Sequence, residues 1–317
     1  MEIIFKLLCM ALLATSVSCS KVEPVVPEPT PEKPVYGRVH LEPSWKPTGY
    51  NIIYFNGDPY YIDTLFGDLT AGLWLVNSDG SNMQPFLIEY YDPSYSSSRH
   101  PDWSPDGQWV VFSLNNNICK IKSNGDSLVQ LTTGVQAAFP SWSQDGSKIA
   151  YDVFYSDVND GLWVMDNDGG NKSKFTTVGR DPDWSSDNLN IICSSFDYSY
   201  TGPGFRTFIY KVNVITGDTI RLTTINGDVR HLEYSNDGNK IAYDYMTPER
   251  LPVICVMNSD GTNQTSLMTG SDLFVECGET PTWSPDGTKI VYTNCCAKYG
   301  KLWIMNSDGT NKQQLTN

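Results

Sequence analysis

The feature that most constrains this chain is a repeated unit, seen most clearly in its last copy, Pro281 to Thr316. The copy reads PTWSPDGTKIVYT and, after a short linker, KLWIMNSDGTNKQQLT. It contains short apolar stretches separated by two tight turns, Ser-Pro-Asp-Gly and Ser-Asp-Gly. In such turns Pro presets φ, Asp hydrogen-bonds its own backbone and Gly accepts a positive φ. Each copy therefore predicts four short antiparallel strands.

Six copies follow residue 40, and their two halves alternate strictly along the chain. The first half is marked by an aromatic residue and the second by a stretch like LWIM. The aromatic residues are Trp45, Trp103, Trp142, Trp184, Tyr234 and Trp283, and the second halves begin at Leu73, Ile118, Leu162, Ile209, Ile254 and Leu302. Copies of roughly 40–60 residues with four strands each are typical of propeller blades. We therefore predict an all-β fold, a six-bladed β-propeller of four-stranded antiparallel blades over residues 35–317.

The sequence does not determine how this ring closes. The copies begin with strand one of the first blade and end with strand four of the last. On that interpretation the ring closes by face packing alone, without a strand exchanged between the termini. The stretch Val35–Leu41 alternates weakly, however, and could instead add a strand beside the last blade.

The WSPDG turn followed by a KIVY-type strand resembles the repeats of the TolB-like family over residues 41–317. The resemblance implies the propeller fold and a periplasmic role in outer-membrane maintenance through protein contacts. Similar repeats also occur in prolyl-oligopeptidase-type enzymes and in oligogalacturonate lyases. Because the repeated residues are turn and core residues, the motif is specific for the fold and says little about function. Only a tether precedes residue 35, so we expect none of the α/β domain that accompanies the propeller in TolB.

The first 18 residues predict an export signal. Lys6 precedes the apolar run Leu7–Ala14, and Ser16-Val17-Ser18-Cys19 resembles a bacterial lipobox. We therefore predict lipidation of Cys19, the alternative being an ordinary cleaved signal in which Cys19 is incidental. Residues 19–34 are rich in proline and predict a semi-rigid tether. No later stretch of about 18 apolar residues predicts a membrane span.

Charge and missing motifs narrow the function classes. The formal net charge is −14, and a protein this acidic repels phosphate backbones, so we expect no nucleic-acid partner. The sequence contains neither a Gly-x-Ser-x-Gly elbow nor a segment long enough for a hydrolase domain, which argues against a peptidase. We expect no cofactor, no catalytic residue and a monomer.

Candidate ligand-binding residues stand just before the aromatic residue of each copy, where a propeller places them around the mouth of its channel. Three residues upstream are Glu42, His100, Phe139, Asp181, His231 and Thr280, and four residues upstream are Leu41, Arg99, Ala138, Arg180, Arg230 and Glu279. Convergent polar groups at a channel mouth indicate a binding site. The arginines suit a carboxylate or an acidic side chain of a partner. We select Glu42, Arg99, His100, Arg180, Asp181, Arg230, His231 and Glu279, the alternative being a salt-bridge ring that only keeps the blades in register.

Two other functions remain open at this stage. The longer connections, predicted to lie on the mouth side, are rich in tyrosine, which favours a protein partner or stacking against the sugar rings of a glycan. These tyrosines include Tyr60, Tyr61, Tyr90, Tyr91, Tyr95, Tyr155, Tyr198, Tyr200, Tyr245 and Tyr299. A metal-dependent lyase of the oligogalacturonate type would require His100, His231 and Asp181 to converge. The interpretation we prefer is an envelope lipoprotein that binds a protein partner and is not an enzyme.

The cysteines divide into two groups. Cys119, Cys193 and Cys255 align with core positions of other copies and are expected to be small core residues. Cys277, Cys295 and Cys296 lie in two loops of the last blade region, predicted to open on the same face. We expect Cys277 to pair with Cys295 or Cys296, or Cys295 to form a vicinal bridge with Cys296. None of the spacings predicts a zinc site.

Overall fold

Six four-stranded antiparallel sheets follow one another along the chain, each in the order of its strands, and together they form the predicted six-bladed propeller. The computed structural model describes residues 39–57, 70–90, 99–154, 159–177, 179–197, 206–223, 227–247, 250–268, 277–295 and 300–316. They belong to the unit Tyr36–Asn317. In these ranges all regular secondary structure is strand, and no helix is long and apolar enough to cross a membrane.

The innermost strand of each blade carries the aromatic residue of the repeat, and the outermost strand is short in most blades. Blades 1 to 3 are formed by β1 (Val39–Trp45), β2 (Asn51–Gly57), β3 (Thr70–Asn77), β4 (Gln84–Tyr90); β5 (Arg99–Trp103), β6 (Trp109–Leu114), β7 (Asn117–Lys122), β8 (Val129–Gln130); β9 (Gln136–Trp142), β10 (Lys148–Phe154), β11 (Gly161–Asp166) and β12 (Ser173–Thr176). Blades 4 to 6 are formed by β13 (Arg180–Trp184), β14 (Asn190–Phe196), β15 (Thr207–Asn213), β16 (Thr219–Arg221); β17 (Asp228–Tyr234), β18 (Lys240–Met246), β19 (Pro252–Asn258), β20 (Thr265–Ser266); β21 (Glu279–Trp283), β22 (Lys289–Asn294), β23 (Lys301–Asn306) and β24 (Gln313–Gln314).

The ring closes by face packing between blade 1 and blade 6. Residues Val39–Leu41 pair with Phe55–Gly57 inside blade 1, so they add no strand to the last blade. The inner strand β1 instead packs against β21, β22 and β23 of blade 6. Trp45 and Tyr54 share an apolar cluster with Val291 and Leu302 across this junction. Side-chain packing thus joins the two ends of the ring.

The core lies between neighbouring blades. The marker aromatics of the six copies are at most 9% exposed. The tyrosines of the KIVY-type strands, Tyr54, Tyr151, Tyr243 and Tyr292, are at most 1% exposed. Cys119, Cys193 and Cys255 are at most 7% exposed, which confirms them as core residues. Burying a large aromatic side chain at each position makes the faces of a blade depend on its neighbours.

The turn after each marker aromatic explains the Ser-x-Asp-Gly pattern. In the last copy the Ser284 hydroxyl donates to Asp286 Oδ1 at 2.6 Å, and the same oxygen accepts the backbone N–H of Thr288 at 3.0 Å. Gly287 has a φ of 67° and donates its N–H to the Ser284 carbonyl at 2.8 Å. Each side chain in the motif therefore satisfies a backbone or hydroxyl group of the same turn.

Every inner strand contains a one-residue bulge. In blade 2, for example, Arg99 pairs with Ser113 but the next partners are Asp102 and Val111, so two residues of β5 oppose one of β6. The first of the two, His100, has a φ of 52°. Its equivalents have φ values between 48° and 55°: Glu42, Phe139, Asp181, His231 and Thr280. A bulge re-aims the side chain it carries, and a positive φ at a residue other than Gly costs about 1–3 kcal/mol.

Candidate functional site

The six bulge residues line one end of the central channel. We call them the mouth ring: Glu42, His100, Phe139, Asp181, His231 and Thr280. They surround a cavity of about 120 Å³ together with the residues that follow them in each inner strand. Five of the six next residues are prolines, at Pro43, Pro101, Pro140, Pro182 and Pro281, while blade 5 has Leu232. Of the eight residues selected from the sequence, four line this cavity, namely Glu42, His100, Asp181 and His231, whereas Arg99, Arg180, Arg230 and Glu279 are not part of its lining.

The two histidines of the ring differ in charge. The Asp244 carboxylate accepts a hydrogen bond from His231 Nδ1 at 2.5 Å. Burial lowers the pKa of His231, but the charge and hydrogen bond of Asp244 outweigh burial and raise it to about 9. His100 Nε2 lies 3.3 Å from Glu42, but burial dominates and lowers the pKa of His100 to about 4. At neutral pH the ring therefore carries one imidazolium, at His231, and one neutral imidazole.

Phe139 lies between the two histidines. Its ring centroid is 3.7 Å from that of His100 and 6.2 Å from that of His231. The Asp181 carboxylate accepts the backbone N–H of His231 at 3.4 Å, while the His231 imidazole is bonded to Asp244. Among the described residues no three His, Cys, Asp or Glu side chains are grouped so as to hold a metal ion.

Each candidate arginine faces an acidic side chain of the protein itself. Arg99 Nη1 is 3.5 Å from Glu42 Oε1, and Arg180 Nε is 3.6 Å from Asp152 Oδ2. Arg230 Nε is 3.6 Å from one carboxylate oxygen each of Asp228 and Asp244. The arginine side chains still keep 28%, 44% and 33% of their surface exposed, in the order Arg99, Arg180 and Arg230. They have internal counterions and remain accessible from solvent.

Two of the predicted acids join neighbouring blades. The Glu42 carboxylate accepts the backbone N–H of His100 at 2.9 Å, and Asp181 accepts that of His231 at 3.4 Å. Burial raises the pKa of Glu42, but the neighbouring His100 and Arg99 outweigh burial and lower it overall. Glu279 lies at the start of β21, where burial and then the charge of Asp244 raise the pKa of its carboxyl group. Glu42 and Asp181 therefore have structural contacts in addition to any binding role.

Two buried aspartates were not selected from the sequence. Asp152 and Asp244 stand in the second strands of blades 3 and 5, in the stretches KIAYD, and are 1% and 0% exposed. Neither oxygen of Asp152 has a hydrogen-bond partner, and burial raises its pKa well above the ordinary value. The equivalent residues of other blades are Ser113, Ser194 and Thr293, by the strand register. The sequence signal for these two aspartates was a carboxyl group at a strand position where three other blades have a small hydroxyl residue.

A second ring, below the mouth ring, was also missed. We call it the lower ring: Ser44, Asp102, Ser141, Asp183, Glu233 and Thr282, the residues that immediately precede the marker aromatics. Asp102, Asp183 and Glu233 accept the backbone N–H of the next blade's aromatic, at Trp142, Tyr234 and Trp283, over 2.8, 2.7 and 2.9 Å. These three carboxyl groups thus fasten adjacent blades beside the channel axis.

The acids of the lower ring have strongly shifted protonation. Burial raises the pKa of Asp102 and that of Asp183 to about 7. Burial followed by the charge of Asp183 raises the pKa of Glu233 well above its ordinary value. The three acids line the mouth cavity and also the small space beyond it, so partly protonated carboxyl groups lie along this stretch of the channel.

Among the alternatives predicted for the cysteines, those that involve Cys295 are not formed. Cys277 is disulfide-bonded, whereas Cys295 is a free thiol with its Sγ 3.0 Å from that of Cys277. Neither a Cys277–Cys295 bridge nor a vicinal bridge through Cys295 is therefore present. The partner of Cys277 lies outside the described residues, as does Cys296, so pairing with Cys296 remains a prediction. The export signal, Cys19, the tether and most of the loop tyrosines also lie outside the described residues.

Comparison with known proteins gives the following similarities. The sequence profile described as TolB beta propeller domain matches residues 70–317. The uncharacterized protein Atu1656 of Agrobacterium fabrum is 27% identical over 269 residues, which are 79% of this chain and 83% of that protein. The crystal structure of TolB from Acinetobacter baumannii superposes with a TM-score of 0.64 at 20% identity, over 88% of this chain and 63% of the other.

A weaker structural likeness joins the chain to an enzyme. An oligogalacturonate lyase in complex with manganese has a TM-score of 0.53 at 14% identity, over 85% of this chain and 89% of that one. At such identities both structural matches establish the propeller fold alone.

Proposed function

The chain belongs to the TolB beta propeller domain family, and we propose that it is an exported protein of the bacterial cell envelope that binds a protein partner and catalyses no reaction. In this proposal a lipid on Cys19 anchors the chain in the membrane. The Pro-rich residues 19–34 then act as a semi-rigid spacer that keeps the propeller away from the membrane surface. A single propeller works as a monomer and presents its channel mouth to the partner.

One observation carries the proposal: three partly exposed guanidinium groups and the imidazolium of His231 lie around the channel mouth. An arginine has five N–H donors, and the internal carboxylates face only one edge of each side chain. The remaining donors are available to a carboxylate, and charge-assisted hydrogen bonds of this kind are the strong ones. We therefore propose that the partner presents an acidic side chain.

The size of the opening favours an inserted side chain over a docked domain. The mouth cavity is about 120 Å³, and Phe139 occupies the space between His100 and His231. One acidic side chain from a partner's loop fits this space, with its carboxylate against His231 and its neighbours against the arginines. The alternative of a metal-dependent lyase is not proposed, because in the described part of the chain no three His, Cys, Asp or Glu side chains are grouped so as to hold a metal ion.

The test is capture from detergent-solubilised cell envelope with three forms of the whole chain. The mouth variant combines Arg99→Gln, Arg180→Gln and Arg230→Gln. The control combines Lys122→Gln, Lys172→Gln and Lys312→Gln, which removes the same charge from residues outside the mouth. A thermal melt of each form comes first, because the arginine changes remove the Arg180 counterion of buried Asp152 and one of the two cationic partners of buried Asp244.

Capture of one specific protein by the wild type and the control, but not by the folded mouth variant, is the expected result. Its identification would name the partner, and an acidic loop in that partner would then be open to mutation. Equal capture by all three forms would overturn the mouth as the binding site. Capture by none would count against a stable protein partner.

A further inference from the structure

A second cavity opens between blades 6 and 1, on the face that carries the short Ser-x-Asp-Gly turns. Its volume is about 500 Å³, against about 120 Å³ at the channel mouth. We call it the turn-face cleft. It lies between Gly49 and Tyr50 of blade 1 and the turn around Asp286 of blade 6, with Trp45 and Ile304 among its walls.

The cleft exists because the turns of these two blades do not meet as the others do. Adjacent turns lie close together at the other five junctions of the ring. Two junctions have a hydrogen bond, from the Asp145 N–H to Asn188 Oδ1 at 3.3 Å and from Asn236 Nδ2 to the Pro285 carbonyl at 3.0 Å. At the other three, a side chain of the preceding turn lies beside the turn glycine, with Lys46 beside Gly107, Pro105 beside Gly146 and Ser186 beside Gly238. At the sixth junction the 500 Å³ cleft separates the two turns.

The sequence of blade 1 departs from the repeat at this place. Where the last copy reads WSPDGTK, the first reads WKPTGYN, so Lys46 and Thr48 replace the serine and the aspartate of the turn. The residue after the glycine is Tyr50, where other copies have Gln, Ser, Leu, Asn or Thr. The backbone of Tyr50 is held in place because its carbonyl accepts the N–H of Ser78 at 2.7 Å.

Tyr50 is an aromatic side chain left in solvent at the rim of the cleft. Its side chain is 75% exposed. The other large apolar side chains that are exposed in the described ranges are not aromatic. An aromatic ring presented to water beside a concave surface is a stacking platform with a polar hydroxyl at its edge. The apolar walls at Trp45 and Ile304 provide the second half of a contact for a flat ligand.

The polar groups of the cleft balance in charge. Asp286 and Lys289 contribute one negative and one positive charge, and Ser78 and Thr288 add hydroxyl groups. Hydrogen bonds from Ser284 and then Thr288 lower the pKa of Asp286, which is therefore an ionised acceptor at neutral pH. A ligand that matches this lining is uncharged overall and has several hydroxyl groups.

The outer end of the cleft region is closed. Gly80 of blade 1 lies directly against the carbonyl of Leu315 in blade 6, so the two blades touch again farther from the channel axis. A long polymer cannot run outward between the blades, and the volume admits only a few rings. The ligand is therefore short, or is the end of a chain that enters from the turn face.

We propose that the turn-face cleft binds a neutral saccharide of one or two pyranose units. The apolar face of one ring stacks on Tyr50, and its hydroxyl groups donate to Asp286 and exchange hydrogen bonds with Ser78 and Thr288. A pyranose combines a flat apolar face with peripheral hydroxyls, which is the combination this lining offers. The site is on the opposite face from the channel mouth, and its occupancy does not require the proposed protein partner.

The test titrates the whole chain with cellobiose, maltose and N,N′-diacetylchitobiose by isothermal titration calorimetry. The variants are Tyr50→Ala, which removes the platform, and Tyr50→Phe, which keeps the ring and removes the hydroxyl. Ile215→Ala is the matched control, because Ile215 is 77% exposed and lies in blade 4, across the ring. Since Tyr50 is so exposed, neither change is expected to affect folding.

We expect at least one probe to bind with a dissociation constant of about 1 mM or tighter. Tyr50→Ala should weaken that binding about tenfold or more, as loss of an aromatic stack implies. Tyr50→Phe should retain most of it, and Ile215→Ala all of it. Binding that is unchanged in Tyr50→Ala, or absent for all three probes up to about 10 mM, would overturn the proposal.

A peptide ligand is distinguished by one further probe. N-acetyltryptophan amide carries an aromatic ring without the hydroxyls of a sugar. If it binds in a Tyr50-dependent manner and the three saccharides do not, the cleft accepts a partner's aromatic side chain, and the saccharide assignment is wrong.

Discussion

The Asp183 carboxylate accepts the backbone N–H of Tyr234 at 2.7 Å across the boundary between blades 4 and 5. Its other oxygen accepts the hydroxyl of Ser141 in blade 3 at 2.9 Å, so one buried side chain connects three blades. Among the described strands none is shared between the two ends of the ring, so these blades are held by packed faces and by contacts of this kind near the axis. Such contacts depend on the protonation of the carboxyl group.

Stability should therefore depend on pH through the lower ring. The folded-state pKa of Asp183 is about 7, above the ordinary 3.8, because of burial. A raised pKa stabilises the fold below the unfolded value and loses that contribution as the pH rises through the folded value. Between about pH 4 and pH 7 the wild type should lose stability relative to Asp183→Asn, by at most about 1.4 kcal/mol per pH unit. Urea unfolding of both proteins at several pH values measures the difference.

That comparison has an internal control. The exposed turn aspartates, such as Asp286, have lowered pKa values and so contribute the opposite trend. They are common to both proteins and cancel in the difference. A difference between wild type and Asp183→Asn that stays constant from pH 4 to pH 8 would contradict the assigned pKa shift.

The histidines of the mouth ring should titrate far apart. The chain has three histidines in all, so the proton NMR signals of the hydrogens on their ring carbons can be assigned by single substitutions. We expect His231 to titrate at about 9 and His100 at about 4. Asp244→Asn should lower the pKa of His231, because burial then acts without a carboxylate to oppose it, and should leave His100 nearly unchanged. Two mouth histidines that both titrate near 6.5 would refute the environments described here.

The repeats predicted the fold because each one is locally complete. Asp286 and Gly287 determine a turn, and Trp283 predicts a buried position, without information from elsewhere in the chain. The same alignment predicted that His100 and His231 stand at equivalent places around the channel. It could not indicate that Phe139 would lie between them, since ring-to-ring distances depend on how six blades are arranged.

The acids that the sequence analysis missed make contacts that depend on a neighbouring blade, so the pattern of a single copy does not predict them. Asp183 immediately precedes a marker aromatic, and its sequence context resembles that of Ser141 in the preceding copy. Whether such a residue points to solvent or accepts the N–H of Tyr234 is decided by the neighbouring blade. Likewise Asp152 and Ser194 occupy equivalent strand positions, and the sequence does not indicate that the carboxyl group of Asp152 is buried.

Cys295 should react slowly with thiol reagents although it is not fully buried. Burial, followed by the negative charge of Glu279, raises the pKa of its thiol to about 12. The thiolate is the reactive form, so little of it exists at pH 8. Iodoacetamide should label Cys295 of the folded protein far more slowly than the same residue after unfolding in urea, as measured by mass spectrometry of peptides. Equal rates in the two states would contradict the prediction.

Membrane attachment should depend on Cys19. A lipid chain on this residue would supply the membrane affinity, since the predicted tether that follows is polar and rich in proline. Cys19→Ser should therefore move the protein from the membrane pellet to the soluble fraction after cell lysis and ultracentrifugation. Cys295→Ser is the control and should remain in the pellet. Retention of Cys19→Ser in the pellet, at the level of the wild type, would exclude the lipid anchor.

Replacing the two buried aspartates by serine should have opposite effects on stability. Asp244 holds His231 by a 2.5 Å hydrogen bond, and Asp244→Ser removes both this bond and the counterion that keeps the His231 imidazole protonated, so a loss of about 3 kcal/mol is expected. Neither Asp152 oxygen has a hydrogen bond, and Arg180 Nε lies 3.6 Å away.

Blades 2 and 4 already have serine at the position of Asp152, so Asp152→Ser should fit without strain and stabilise the protein by about 1–2 kcal/mol at pH 8. The gain should shrink as the pH is lowered, because the raised pKa of Asp152 makes its carboxyl group neutral at a higher pH in the folded protein than in the unfolded chain. Urea unfolding of both variants beside the wild type measures the two effects.

If Asp152→Ser is stabilising and also weakens capture of the envelope partner, Asp152 is retained for binding at the expense of stability. A destabilising Asp152→Ser would instead mean that this carboxyl group stabilises the fold through Arg180.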